Sequence, residues 1–251
     1  MDAKREPGVL IAEGKTKFIL STEKPGWIHI RSKDDITAGD GARHDVIPGK
    51  GMLANQTTCN IFHLLRHHKI PLAFERKVAF DTFRAREAKM IPLEVVGRIF
   101  AEGSYLKRHP QISKGDHFES PVVEFFLKTT SKVFKVPAFP GLSFNLPKDD
   151  MLLCEESHNM FSVLYPHAEG GVLFYLPYEH VGVTEKDLEK MKTMTHEIAS
   201  VLEYAWNFVG GTLIDFKIEF GWVETSQGSA LTVTTTTGSS INFIAIWKQT
   251  A

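Results

Sequence analysis

From Leu213 to Gly221 the chain alternates apolar and charged residues. Ile214, Phe216, Ile218 and Phe220 share one parity, Asp215, Lys217 and Glu219 the other. A period of two predicts a β-strand with one face in a core, and an acid–base–acid ridge on the other face. Apolar runs flanking Glu13–Lys17 predict a hairpin or strand–loop–strand over 9–20. Residues 27–31, 72–80, 93–101 and 121–127 read as further strands, with 89–92 a short connector. Helical spacing appears twice. Met52–Lys69 carries Leu53, Ile61, Phe62, Leu64 and Leu65 on its apolar side. Thr184–Phe208 opens on Thr184 with Asp187 in capping-box position and carries Leu188, Met191, Met194, Ile198, Val201, Leu202 and Phe208 along one side. Gly210 and Gly211 stop that helix and feed the Leu213 strand. Residues 129–148, rich in Pro, Ser and Thr, read as a surface loop or lobe-joining segment, and 157–180 as irregular. Asp149 and Asp150 read as a helix cap. Leu231–Trp247 is β-prone, with no Asp or Glu after Glu224, and needs covering as an edge.

Composition narrows the class. With 251 residues, 43% of them hydrophobic, there is material for one large domain or two lobes. A net charge of -1 provides no basic field for nucleic acid. Two cysteines, Cys59 and Cys154, make neither a disulfide framework nor zinc spacing. There is no apolar leader and no run long enough to cross a membrane, so a cytoplasmic setting is expected.

The ridge is the strongest candidate for chemistry. An ordered acid–base–acid triplet suits a site that holds a cation and a phosphate together. At roughly 3.3 Å per residue, Asp215 and Glu219 start about 13 Å apart, too far to clamp one ion, with Lys217 between them as a neutralising partner or phosphate contact. At the start of the chain, Gly14 lets backbone approach a ligand, while Lys15 and Lys17 supply cations for phosphate. A Walker A loop does not fit, because Gly8 and Gly14 are separated by five residues rather than four. The small residues around Asp40, Gly41 and Arg43 suit a loop closing on a small substrate, or a plain hairpin turn. Arg98, inside an apolar run, needs a partner. Gly103-Ser104 with Lys107 and Arg108 suits a phosphate, or simply a helix start. His63 and His67 are four apart, but with no third ligand nearby they read as a polar face.

Four stretches occur in order: Glu13-Gly14-Lys15-Thr16-Lys17, Thr37 to Arg43, Ile91 through Arg98 to Ser104, and Leu213 to Gly221. On these the chain resembles the SAICAR synthetase family, from about residue 11 to 222. The resemblance implies a two-lobed α+β fold: an antiparallel-sheet, kinase- and ATP-grasp-like nucleotide lobe over 1–92 and a larger α+β substrate and metal lobe over 93–251. It implies an ATP- and Mg²⁺-dependent ligase of purine biosynthesis that joins L-aspartate to carboxyaminoimidazole ribonucleotide (CAIR), with homo-oligomerisation left open. By motif, Gly14, Lys15, Thr16 and Lys17 cover the ATP phosphates, Met90 meets adenine through backbone, Lys128 lies near the nucleotide, and Glu219 binds Mg²⁺. Arg98 and Ser104 hold the ribonucleotide phosphate with Lys107 beside them. Asp40, Arg43 and Asp150 line the substrate pocket, and Lys217, Asp215 and Asp40 are the candidates for the chemistry.

Three departures stand out. Gly97 replaces a larger aliphatic residue, and Glu102 replaces a small one. From about residue 222 the family's second metal carboxylate and later substrate Arg give way to Ala230-Leu-Thr-Val-Thr-Thr-Thr-Thr-Gly-Ser-Ser. The tail suggests a frame-shifted or alternative C-terminus, or a nucleotide-binding homologue impaired in catalysis. An unrelated phosphotransferase sharing the nucleotide lobe is the weaker rival.

Overall fold

A computed structural model describes residues 8–38, 43–128, 133–135, 141, 143–145, 150–166, 171–234 and 242–247. In chain order its elements begin with β1 (Leu10–Glu13), β2 (Lys17–Ser21), β3 (Trp27–Ser32), β4 (Asp35–Ala38), β5 (Arg43–Val46), α1 (Lys50–His67), β6 (Phe74–Lys77), β7 (Thr82–Arg86) and β8 (Lys89–Phe100). There follow α2 (Ser104–Arg108), β9 (His117–Leu127), β10 (Val133–Lys135), β11 (Ser143–Asn145), β12 (Met151–Glu156), β13 (Met160–Leu164) and β14 (Phe174–Pro177). The last are α3 (Tyr178–Val181), α4 (Glu185–Phe208), β15 (Gly211–Thr225), β16 (Gly228–Thr234) and β17 (Asn242–Trp247). This is an α+β chain built on antiparallel strand pairs. Among the described residues no helix is long and apolar enough to cross a membrane.

Two compact units divide the chain. The first runs to Met90 and takes in Ile218–Asn242; the second holds Ile91–Lys217 and the residues from Phe243. In the first, β1-β2-β3-β7-β6 form a five-stranded sheet. Strand alternation aims Ile19, Ile28, Ile30, Phe83 and Ala85 into the core, where Phe62 of α1 stacks on Phe74 at 5.1 Å. The Asp34 carboxylate accepts from the N–H groups of Gly49 and Gly51, 3.1 and 2.7 Å away, so it caps α1 in place of an N-cap side chain. Leu53, expected on the apolar side of α1, is exposed. The end of β15 pairs with β16 in the register Glu219↔Thr234, Gly221↔Thr232. Within β16, Val233 is hydrogen-bonded through its backbone to Pro71 and Ala73.

In the second unit β14, β13, β12, β9 and β8 lie side by side, and the start of β15 follows β8. Thr184 and Asp187 form the capping box that starts α4. The apolar side of α4, with Leu188, Met191, Ile198 and Leu202, is buried along with Leu93, Val95, Phe125, Phe161 and Phe216 of the sheet. Its methionines are therefore core, whereas Phe208, expected on the same side, is exposed at the end of the helix. Gly97 has a physical reason: a Cβ there would lie 2.5 Å from the Phe216 ring and 3.1 Å from the Thr195 methyl. The ring fills the space that a larger residue would need.

Local expectations fail where cross-strand pairing decides. Residues 89–92 are the first residues of β8, not a connector. The 157–180 stretch contains β13, β14 and α3, and Asp150 precedes a strand, not a helix. Glycine, proline and aromatics disguise these short strands, whose partners are supplied by β12 and by one another.

Candidate active site

In the first unit, the Glu13–Lys17 turn closes through the Gly14 N–H, which donates to the Lys17 carbonyl at 2.9 Å. Lys33 grips the turn from outside, 2.8 Å from Glu13 and 3.4 Å from the Gly14 carbonyl. Lys15 is exposed. Lys17 is not on the outer face with it. It begins β2 on the inward parity shared by Ile19 and Ser21, and only 1% of it is exposed. Burial pushes its pKa from 10.5 down to about 7, against the opposing pull of the Glu219 carboxylate and with a lesser push from Lys50. Glu219 is equally buried, at 1% exposure. The ridge's last acid and the turn's inner lysine are thus one electrostatic pair.

One more feature suits a nucleotide. Among the described residues Thr16 Oγ1 is buried with no hydrogen-bond partner, an orphan donor that a phosphate oxygen would satisfy by accepting. Gly221 is needed for packing within the chain: a Cβ there would sit 3.0 Å from the Ala88 methyl and 3.1 Å from the Lys89 carbonyl. Among the described residues no group of three or more His, Cys, Asp or Glu gathers as a metal site. Mg²⁺ commonly takes only one or two protein carboxylates and completes its shell with phosphate oxygens and water, so Glu219 fits as one ligand. Opposite Glu219 on β16 stands Thr234 rather than a second acid.

In the second unit, Lys217 Nζ donates to Glu94 at 2.7 Å, and Lys128 Nζ lies 3.9 Å from the same carboxylate. Arg98 is buried, with its Nε 2.5 Å from Glu124, NH1 3.1 Å from Asp215 and NH2 3.3 Å from Ser104 Oγ. Burial pushes the Asp215 carboxyl up, against the pull of Arg98, with Glu124 and Glu102 adding to the rise. Arg98, Ser104 and Asp215 are therefore brought together. Lys107 is exposed on α2. Asp150 stands at the head of β12, part-buried. Asp40 lies outside the described residues. Arg43 begins β5, paired with Ala38 across the β4–β5 hairpin.

Sequence reasoning missed the roles of Glu94 and Glu124, and it offered Arg108 to a phosphate where the structure gives it to Glu124. Glu124 carried a signal, a lone acid in the run Pro121 to Leu127, which required a cation as Arg98 required an anion. Each satisfies the other.

The family model described as SAICAR synthetase matches residues 10–133 and 175–237. The chain belongs to the SAICAR synthetase family. The match continues past Gly221 through β16 and omits 134–174. A phosphoribosylaminoimidazole-succinocarboxamide synthase of Chloroflexus aurantiacus is 36% identical over 227 residues, covering 90% of this chain and 76% of that one. Its namesake from Roseiflexus castenholzii is 43% identical over 216 residues, covering 85% and 72%. Among solved structures, the Ehrlichia chaffeensis enzyme of that name superposes with a TM-score of 0.70 at 27% identity, covering 90% of this chain and 81% of that one.

Proposed function

We propose that this member of the SAICAR synthetase family is an ATP-dependent ligase of purine biosynthesis, joining L-aspartate to CAIR to give SAICAR, ADP and phosphate. The observation that carries this reading is the buried Lys17–Glu219 pair beside the orphaned Thr16 hydroxyl, set in the family's own motifs. A carboxylate is a poor acyl donor. Its oxygen attacks the γ-phosphorus of ATP, the bond to the ADP oxygen breaks, and an acyl phosphate forms. The aspartate amine then attacks the acyl carbon, phosphate leaves with the C–O bond electrons, and the nitrogen loses its proton.

The residues divide this work. Gly14, Lys15, Thr16 and Lys17 hold the ATP phosphates, and Met90 and Lys128 border the nucleotide. Glu219 is the protein's ligand for Mg²⁺, which when bound supplies charge neutralisation on the phosphates. Arg98 and Ser104, with Lys107 nearby, hold the ribonucleotide phosphate. Asp40, Arg43 and Asp150 serve the remaining substrate contacts. Lys217, fixed by Glu94, screens the approach of one anion to another. Asp215, whose carboxyl burial raises, is suited to take the proton from the attacking amine.

A second reading is a homologue that binds nucleotide without turnover. Thr234 opposite Glu219 favours it, since a carboxylate on that neighbouring strand would complete a two-acid metal site. Coupled measurement of ADP release separates the two. The ligase produces ADP only when ATP, L-aspartate and CAIR are all present. ATP binding by calorimetry with no ADP released would establish the silent homologue instead. ADP release with transfer to a hydroxyl acceptor and no need for aspartate would overturn both.

A further inference from the structure

The Arg98 guanidinium does not stand alone. Glu124 is itself buried and divides its two oxygens: Oε2 takes Arg98 Nε at 2.5 Å, and Oε1 takes NH2 of Arg108. Arg108 is anchored in turn by its NH1, which donates to the Pro166 carbonyl at 2.5 Å. The Tyr105 ring lies 5.8 and 5.9 Å from the two guanidinium carbons. A guanidinium has one donor on its stem side, Nε–H, and two terminal NH₂ groups on its outer edge. Binding the stem side sets the plane of the group, and the outer edge then points where that plane dictates. Here the edge reaches Ser104 Oγ and Asp215.

We infer that Glu124 is a positioning residue for the ribonucleotide phosphate: it fixes Arg98 by the stem so that the outer edge and Ser104 Oγ are presented together, with Arg108 as the counter-charge that holds Glu124 in place. The inference rests on the reading of Arg98 and Ser104 as the phosphate holders. Four charges share this site, two arginines and two carboxylates. Without Arg108, Glu124 would be free to swing with Arg98 as a simple pair; tied to Arg108, it is a fixed post.

Steady-state kinetics of E124Q test this. Glutamine keeps the volume and one acceptor oxygen but cannot hold both guanidinium groups as a charge. The expected result is a KM for CAIR raised about 10-fold, with the KM values for ATP and aspartate within about 2-fold of wild type. A purely structural salt bridge would lower the melting temperature and leave all three KM values alone. R98A measured in parallel separates the failures. CAIR KM raised in R98A but unchanged in E124Q overturns the role of Glu124. CAIR KM unchanged in R98A overturns the assignment of Arg98, and the present inference with it. If E124Q does not fold, E124M/R108M removes both charges of the pair, so that Arg108 is not left as an uncompensated cation while Arg98 keeps Asp215. The same selective rise in CAIR KM is expected there, and its absence is decisive against the inference.

Discussion

Lys17 is a cation placed where an apolar residue would pack better, and its titration makes that cost measurable. The folded-state pKa, about 7, lies below the unfolded 10.5, so between these values the unfolded chain binds more protons. Stability from this group is therefore least below about pH 7 and grows as pH rises towards 10.5. Other groups titrate too, but comparison with K17M isolates this one. The stability of wild type minus that of K17M should increase by about 1.4 kcal/mol per pH unit at most from pH 7.5 to 9.5, read by urea unfolding. A flat difference would mean that Lys17 keeps its ordinary pKa. The same variant should bind ATP at least about 10-fold more weakly, as expected for a lost charge-assisted phosphate contact. That Lys17 points inward was half legible. It shares parity with Ile19, but apolar residues on both faces of β2 conceal which face is the core.

Between elements, the informative contact is Gly97 against Phe216, from β8 and β15. A Cβ at 97 collides with the ring, so G97A should destabilise the chain by about 1–3 kcal/mol, as overpacking does. F216L should cost stability alone yet recover part of the loss in G97A/F216L. Thermal unfolding of the four proteins in a double-mutant cycle reads the coupling, and additive effects would show that the two residues do not compete for one space. The alternation of β15 and the cap and apolar stripe of α4 were plain in the sequence because each is a local periodic signal. The Arg98–Glu124 pair was not. Two lone charges in two apolar strands announce a need for partners, and only the Arg98↔Val122 register of β8 and β9 brings Glu124 within reach. The strands in 157–180 were hidden for the same reason.

At the scale of the whole chain, the first compact unit is assembled from distant segments. Residues up to Met90 are joined there by Ile218–Asn242, and Val233, fully buried, is bonded through its backbone to Pro71 and Ala73. No local pattern announces that return. A fragment ending at residue 92 would lack Glu219, Val233 and the β15–β16 hairpin, and would leave Lys17 buried without its counter-charge. Expressed alone it should show no cooperative thermal transition and broad, poorly dispersed amide resonances. A cooperative unfolding transition in 1–92 would show that the returning segment is dispensable. The arrangement also has a consequence during translation. Ribosomes release the chain from its N-terminus, so β1–β7 and α1 emerge while the segment that returns to them, with Glu219 and Val233, is still unmade. At about 5–20 residues per second, the wait is on the order of ten seconds. Over that interval the backbone groups of Pro71 and Ala73 wait for Val233, so the first unit closes only late in synthesis.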